Sequence, residues 1–264
     1  MRCDVLIVGG GTGGCAAAQA LAVSGLTVIM TEPTDWIGGQ LTSQMVPPDE
    51  HPWIETHGSS MRYRAFREAV RDYYRAHESL TLDARRNRIL NPGAGWVSRL
   101  CFAPEIGVRV LEESFRATLV TGRLKILRQH VPVAAATEGD RVVSVTFRDE
   151  ATGNDVVIEP RLILEASETG DLLPLAGIEY RLGAEAQSET GEPHAGEADP
   201  TNVQSFTWVI AVASDPGHTE TPQRPADYDA WKAFAPTEWP FPQLDWRYYD
   251  RREASERPFD LYGG

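Results

Sequence analysis

Asp4-Val-Leu-Ile-Val-Gly-Gly-Gly-Thr-Gly-Gly-Cys-Ala-Ala-Ala18 is the stretch whose reading decides the fold. Val5 to Val8 is a short apolar run rich in β-branched residues, which reads as a parallel strand buried on both faces. It runs into Gly9-x-Gly11-x-x-Gly14, and small helix-compatible residues follow from Cys15 to Val23. In such a strand–turn–helix Gly9 permits the tight turn. Gly11 lets backbone approach a pyrophosphate, and Gly14 lets the helix lie close on the strand. The free N–H groups and partial positive charge of the helix N-terminus suit the same anion.

The residues downstream agree. Gly25 ends the helix, and Leu26 to Met30 reads as a second buried strand. Glu32 follows it at the spacing where a carboxylate accepts hydrogen bonds from a ribose diol. The next loop, Trp36-Ile-Gly-Gly-Gln-Leu-Thr42, leaves the same sheet edge, and its Gly38-Gly39 pair marks special backbone or close approach. Ligands of open α/β sheets bind along that edge.

Composition narrows the classes. The 264 residues carry 38 acidic and 25 basic side chains, a net charge of -13. That excess argues against nucleic acid or an anionic membrane as the main partner. Cys3, Cys15 and Cys101 are scattered and odd in number, so no disulfide framework is expected, and the expected setting is a reducing, cytoplasmic one. No apolar run has the length of a signal peptide or membrane span.

Between the Gly38-Gly39 loop and the next helix, residues 46–60 are irregular and rich in Pro, His, Trp and acids. Long irregular segments inside compact domains are often functional. His51 and His57 are the candidates for acid–base work near neutral pH, with Glu55 between them. A plain surface loop is the competing reading. No metal site is expected, because His and Glu here lack helical i, i+4 spacing.

Ser59 or Ser60 is placed to cap a helix whose apolar face is Phe66, Ala69, Val70, Tyr73 and Tyr74. Arg64, Arg67, Arg71 and Arg75 read as a solvated face paired with Glu68 and Asp72. A second helix begins near Pro104 and ends at Gly122. Leu124 to Leu127 reads as a sheet strand. Val131 to Ala134, Arg141 to Arg148 and Val156 to Glu159 read as an antiparallel meander, and the sheet resumes at Arg161 to Glu165. Ala166-Ser-Glu-Thr-Gly-Asp171 is another small-residue turn off a strand end, where Asp171 suits a polyol hydroxyl or a helix N-cap. Residues 181–200 are acidic and expected to be mobile. Asn202 to Val212 alternates like a strand of a second sheet. From Ser214 the chain is rich in Pro and Trp and weakly periodic, with no closing element toward Gly264.

Three motifs together resemble the FAD-dependent oxidoreductases, relatives of the fumarate reductase, succinate dehydrogenase and glutathione reductase flavoproteins. They are Gly9 to Gly14 with Glu32, Trp36 to Thr42, and Leu162 to Leu172, and the resemblance covers about residues 1–215. It implies an α/β fold: a Rossmann-type FAD-binding domain over 1–178 with a helical insert at about 59–122 and a β meander at about 131–159. Residues 179–264 would form part of a second, substrate-side domain. It implies FAD as cofactor, with Gly9, Gly11, Thr12, Gly13 and Gly14 at the pyrophosphate and Glu32 on the adenosine ribose. Gly38, Gly39, Gln40 and Thr42 would line the pyrophosphate and flavin, Val133 the adenine, and Ala166 and Asp171 the far side. Glu168 stands where the family usually has glycine. The implied activity is flavin-mediated hydride transfer from a small organic substrate. Family members carry a C-terminal glycine-rich strand–helix that closes the flavin site. None follows Asp171 here, so either the chain is a fragment or a second polypeptide supplies it, and a second polypeptide or a cleavage product is expected over a self-sufficient flavoprotein. The competing readings are an NAD(P)-dependent dehydrogenase and a non-catalytic assembly or regulatory subunit that keeps the nucleotide-binding fold.

Overall fold

A computed structural model describes residues 1–95, 97–212, 217, 223–237, 241–245, 247–250 and 254–258, with backbone alone at 248–250. Trp96 and the terminal stretch from Phe259 lie outside the described residues. The chain divides into two compact units, Met1–Ala211 and Val212–Gly264.

The first unit is built on the opening strand. β1 (Arg2–Val8) runs parallel to β2 (Val28–Glu32), with Val5 opposite Val28. β2 in turn runs parallel to β3 (Leu124–Arg128). On the other side β1 runs parallel to the second half of β6 (Asp155–Glu165), with Leu6 opposite Ile163. β4 (His130–Glu138) and β5 (Arg141–Asp149) complete one six-stranded sheet in the order β3-β2-β1-β6-β5-β4.

Period-two alternation divides β1 between two cores. Val5 and Ile7 pack with Cys15, Ala18 and Ala22 of α1 (Thr12–Ala22) and with Leu111 and Phe115 of α4 (Pro104–Val120). Leu6 and Val8 pack on the opposite face with Val145, Phe147, Ile158 and Leu172. Burial on both faces explains why the opening run is uniformly apolar. The far end of this layer is tied by Asp4. Its carboxylate accepts from the Thr27 amide at 2.9 Å, the Thr27 hydroxyl at 2.7 Å and the Arg161 guanidinium at 3.1 Å.

Two readings of the sequence need correction here. The meander is not separate from the sheet: β6 is one continuous strand. It pairs antiparallel with β5 through Asp155 to Ile158, then parallel with β1 from Glu159 to Glu165. Pro160, opposite Cys3, suggests a break in the sequence, yet a strand tolerates proline where no ladder N–H is required. Residues 202–212 form no strand. Their alternation leaves Phe206, Trp208 and Ile210 at 80%, 84% and 75% exposure, because an alternating pattern makes a strand only where another edge supplies hydrogen-bond partners.

The acidic segment is locally ordered. Ala184 and Asp199 exchange backbone hydrogen bonds of 2.9 Å, and α6 (Gln187–Thr190) lies between them. Preceding it in the chain are α2 (Met61–His77), α3 (Leu82–Arg86) and the short α5 (Leu172–Leu175). The second unit contains α7 (Tyr228–Ala233) and an antiparallel pair, β7 (Arg247–Asp250) with β8 (Ser255–Pro258). No helix of the described residues is long and apolar enough to cross a membrane.

Candidate functional site

The carboxyl ends of β1, β2 and β6 bring three turns together. The turn after β1 requires glycine for two separate reasons. Gly9 has a φ of 101°, and a Cβ there would stand 2.4 Å from the Ala166 carbonyl oxygen at the end of β6. A Cβ on Gly14 would stand 2.0 Å from the Gly9 carbonyl oxygen. Helix α1 closes onto its own strand through that gap. Its N-cap is Gly11, with no side chain capping it and no acid in its first turn. The first amides of α1 thus present free donors and the positive end of the helix dipole.

The second turn follows β2. Gly38 has a φ of 111°, in the left-handed region, and opens a 3-10 turn at Gly39–Leu41. The Gly38 amide donates to the Gly10 carbonyl at 2.8 Å, and the Thr12 hydroxyl donates to the Gly38 carbonyl at 3.0 Å. The two glycine turns are therefore hydrogen-bonded into one notch. Gly10, which sequence reasoning passed over, is the joint: its carbonyl also accepts from the Cys15 thiol at 3.2 Å. The run of three glycines from Gly9 was its only signal. Gln40 and Thr42 are engaged within the protein. Gln40 Nε2 donates to the Pro47 carbonyl at 3.3 Å and to Asp49 at 3.2 Å, while buried Thr42 donates to the Ile37 carbonyl at 2.7 Å. Gly13 is exposed, with open space where a Cβ would be.

Glu32 lies buried at the end of β2, at the side of this notch. Its Oε1 accepts from the Thr34 amide at 2.9 Å and from the Thr34 hydroxyl at 2.7 Å. Burial raises its carboxyl above the ordinary range; the Thr34 bonds oppose this, and the charge of Glu168 adds to it. Cys15 beneath the notch is pushed up to about 12 by burial, with the Glu32 charge adding to it. Val133 sits at a register shift in β4. The entry to β4 is fastened to the chain just after Glu32, where the Gln129 amide donates to the Thr34 carbonyl at 3.2 Å.

The third turn follows β6. The Ala166 amide donates to the Val8 carbonyl at 2.8 Å. Glu165, missed in the sequence, organises this turn by accepting from the Ser167 amide at 2.7 Å and the Leu172 amide at 2.8 Å. Asp171 occupies the N-cap position of α5 without capping it, and its carboxylate accepts from the Thr169 hydroxyl.

His51 and His57 come together on the loop, with ring centroids 6.0 Å apart and Trp53 about as far from each, at 6.1 Å and 6.2 Å. What holds this loop is the larger departure from the sequence reading. Arg67 and Arg71 are not solvated: they are 2% and 0% exposed. Arg67 pairs with Glu50 and Glu55, and Arg71 with Glu55 and Glu68. The Tyr63 hydroxyl also donates to Glu50, and Arg71 Nε donates to the Leu90 carbonyl at 3.0 Å. Helical spacing alone groups these arginines with Glu68 and Asp72. It carries no sign that the preceding loop folds back and delivers Glu50 and Glu55. Among the described residues no group of three or more His, Cys, Asp or Glu is placed to hold a metal ion.

The family described as FAD dependent oxidoreductase matches residues 4–260. The flavin-containing amine oxidase B of Bos taurus is 54% identical over 39 residues, which is 15% of this chain and 8% of that protein. The Sus scrofa enzyme matches equally, at 54% over 39 residues. Among solved structures, a flavoprotein/dehydrogenase from Cytophaga hutchinsonii aligns with a TM-score of 0.44 and 18% identity, covering 70% of this chain and 44% of that one. The myxobacterial FAD-dependent halogenase CndH aligns with a TM-score of 0.39 and 20% identity, covering 63% and 37%. The chain thus spans less than half the length of each of these proteins.

Proposed function

This chain belongs to the FAD dependent oxidoreductase family, and we propose that it binds FAD across the Gly9–Gly14 and Gly38–Gly39 notch to oxidise a small organic substrate by hydride transfer. The family makes FAD its cofactor and redox chemistry its class. The residues fit that cofactor: Gly9 and Gly14 stand where any Cβ would collide with backbone, and the uncapped start of α1 offers donors to a pyrophosphate. The single observation that carries the reading is the joining of these two glycine turns through Gly10, which makes one notch beside a buried carboxylate.

FAD, when bound, supplies a two-electron acceptor; the protein's share is binding, orientation and proton handling. In this proposal Thr12, Gly13 and Gly14 present first-turn amides to the pyrophosphate. Glu32 accepts from the adenosine ribose, and Val133 lies on the adenine side. His51 and His57 are the proposed proton-handling groups. What supports them is their mutual proximity and the fastening of residues 47–49 to Gln40, directly after the Gly38–Gly39 turn. The family match favours FAD over a nicotinamide cofactor. A further polypeptide completing the substrate side belongs to the same proposal, supported by the exposed apolar row at Phe206, Trp208 and Ile210.

The test is titration of the purified chain with FAD and with NAD(P)H, followed by absorbance and calorimetry. Saturable FAD binding, competed by ADP and weakened in Glu32→Gln, is the expected result. Binding of NAD(P)H in preference to FAD would overturn it. For the histidines, His51→Ala and His57→Ala should slow flavin reduction by substrate while leaving FAD affinity unchanged. Unchanged reduction rates would remove them from the chemistry.

A further inference from the structure

The notch between the two glycine turns already receives an anion from the chain itself. Glu168 Oε1 stands 2.6 Å from the position a Cβ on Gly11 would take, and 2.8 Å from the position of one on Gly39. The Gly11 Cα is itself 3.0 Å from that Gly39 position. One carboxylate oxygen thus touches both turns at the point where they meet. Glu168 leaves the sheet in the turn after β6, whose first residue, Ala166, closes on Gly9. Its backbone is held against the notch by the sheet, while its side chain is exposed.

The chemistry of the notch explains the placement. α1 is eleven residues long, begins at Thr12 behind the N-cap Gly11 with no capping side chain, and carries no acid in its first turn. A carboxylate set against that start is the charge a helix N-terminus favours. Among the described residues Glu168 forms no ion pair, and its carboxylate lies beside Gly11, the N-cap of this helix. A like charge lies nearby: the Glu168 carboxylate adds to the upward shift of Glu32.

We propose that Glu168 is an internal occupant of the pyrophosphate position, and that displacing its carboxylate sets the affinity of this chain for dinucleotides. This rests on the FAD reading above. Two phosphate charges entering the notch meet a negative charge beside the amides they need. Glu168 must therefore rotate out before the pyrophosphate can seat. Because the side chain is exposed and can rotate, the effect is a modest loss of affinity and not a block. Glutamine keeps the shape and removes the charge.

The experiment measures dissociation constants of FAD, ADP and adenosine for the full chain and for Glu168→Gln and Glu168→Asp, with circular dichroism confirming that each variant is folded. Glu168→Gln is expected to bind FAD and ADP about tenfold more tightly, since one like charge is removed at close range. Adenosine, which brings no phosphate, should bind parent and variant equally. Glu168→Asp keeps the charge but draws it back by one methylene, and should fall between them. Equal FAD and ADP affinities in parent and Glu168→Gln, or weaker binding by the variant, would overturn the proposal while leaving the FAD reading standing. Failure of every variant to bind FAD or ADP would instead sink the FAD reading, and this proposal with it. A gain that extends equally to adenosine would also overturn it, because it would not arise at the pyrophosphate.

Discussion

Replacing Gly14 and Gly13 separately by alanine tests the central turn with two neighbouring changes that should act in opposite directions. Both positions lie in the first turn of α1, where alanine is intrinsically better than glycine by up to about 1 kcal/mol. At Gly13 that gain stands alone, since nothing lies within 4 Å of the new Cβ. At Gly14 the new Cβ would lie 2.0 Å from the Gly9 carbonyl oxygen, whereas ordinary contact begins at 3.4 Å. The required shift is more than an ångström, and no side chain can absorb it. Gly9 cannot yield, because its own Cα already faces the Ala166 carbonyl across a gap too small for a methyl group. Overpacking of this kind costs about 1–3 kcal/mol, and a clash between backbone and Cβ belongs at the upper end. Subtracting the propensity gain leaves a net loss of about 2 kcal/mol at Gly14. For a unit of this size that is a fall of roughly 4–8 °C in Tm, against a rise of about 2–4 °C for Gly13→Ala. Thermal unfolding followed by circular dichroism measures both. A Gly14→Ala variant that melts at or above the parent would refute the close approach of α1 to β1. So would equal destabilisation by the two changes, which would remove the distinction drawn here between them.

Three further predictions follow from burial. Arg71→Met removes a fully buried guanidinium that bonds Glu55, Glu68 and the Leu90 carbonyl; it should lose about 3–5 kcal/mol in urea unfolding, and a loss below about 1 kcal/mol would show the cluster to be dispensable. Arg71→Lys should not restore the parent value, because one ammonium cannot span those three acceptors. Glu32→Gln should weaken ADP and FAD binding by about 10–100-fold, the scale of losing charged hydrogen bonds. Its stability should move the other way. Burial raises the folded Glu32 carboxyl above its unfolded value, so the parent loses stability as pH rises through that window. The variant should lack this loss and match or exceed the parent at pH 7, as melting curves across pH would show. The three cysteines are all buried and all shifted upward, chiefly by burial, with Cys15 pushed up to about 12. A thiol reagent at pH 8 should therefore label the unfolded chain rapidly and the native one slowly. Fast labelling of native Cys15 would contradict its packing beneath Gly10.

The parts legible in the sequence are those whose signal is local. Val5 to Val8, the glycine spacing and the start of α4 at Pro104 each depend on residues within a few positions of one another. The structure follows them within three residues. Ser60 caps α2 by accepting from the Tyr63 amide at 3.2 Å, as its position before the helix suggests. Arg67 and Arg71 show the opposite case. On the helix they look like a charged outer face, and their burial depends on Glu50 and Glu55, which arrive from a loop with no period to read. The 202–212 segment fails for a related reason: its alternation is genuine, but pairing depends on an edge that the sequence cannot locate.

What the sequence by itself determined is the nucleotide-binding turn, the buried sheet behind it and, through three spaced motifs, the family. These follow from steric rules that act along the chain: which residues tolerate a tight turn, which run can be buried on both faces, and where glycine alone can stand. What only the tertiary structure decided is how the turns meet. The Gly38 amide reaches the Gly10 carbonyl across 28 residues of chain, and Glu168 reaches Gly11 from the turn after the neighbouring strand β6. Those contacts are set by the order of strands β2-β1-β6, which places three separate strand ends side by side. Strand order is a property of the folded sheet, so the character of the notch, and the carboxylate within it, become visible only there.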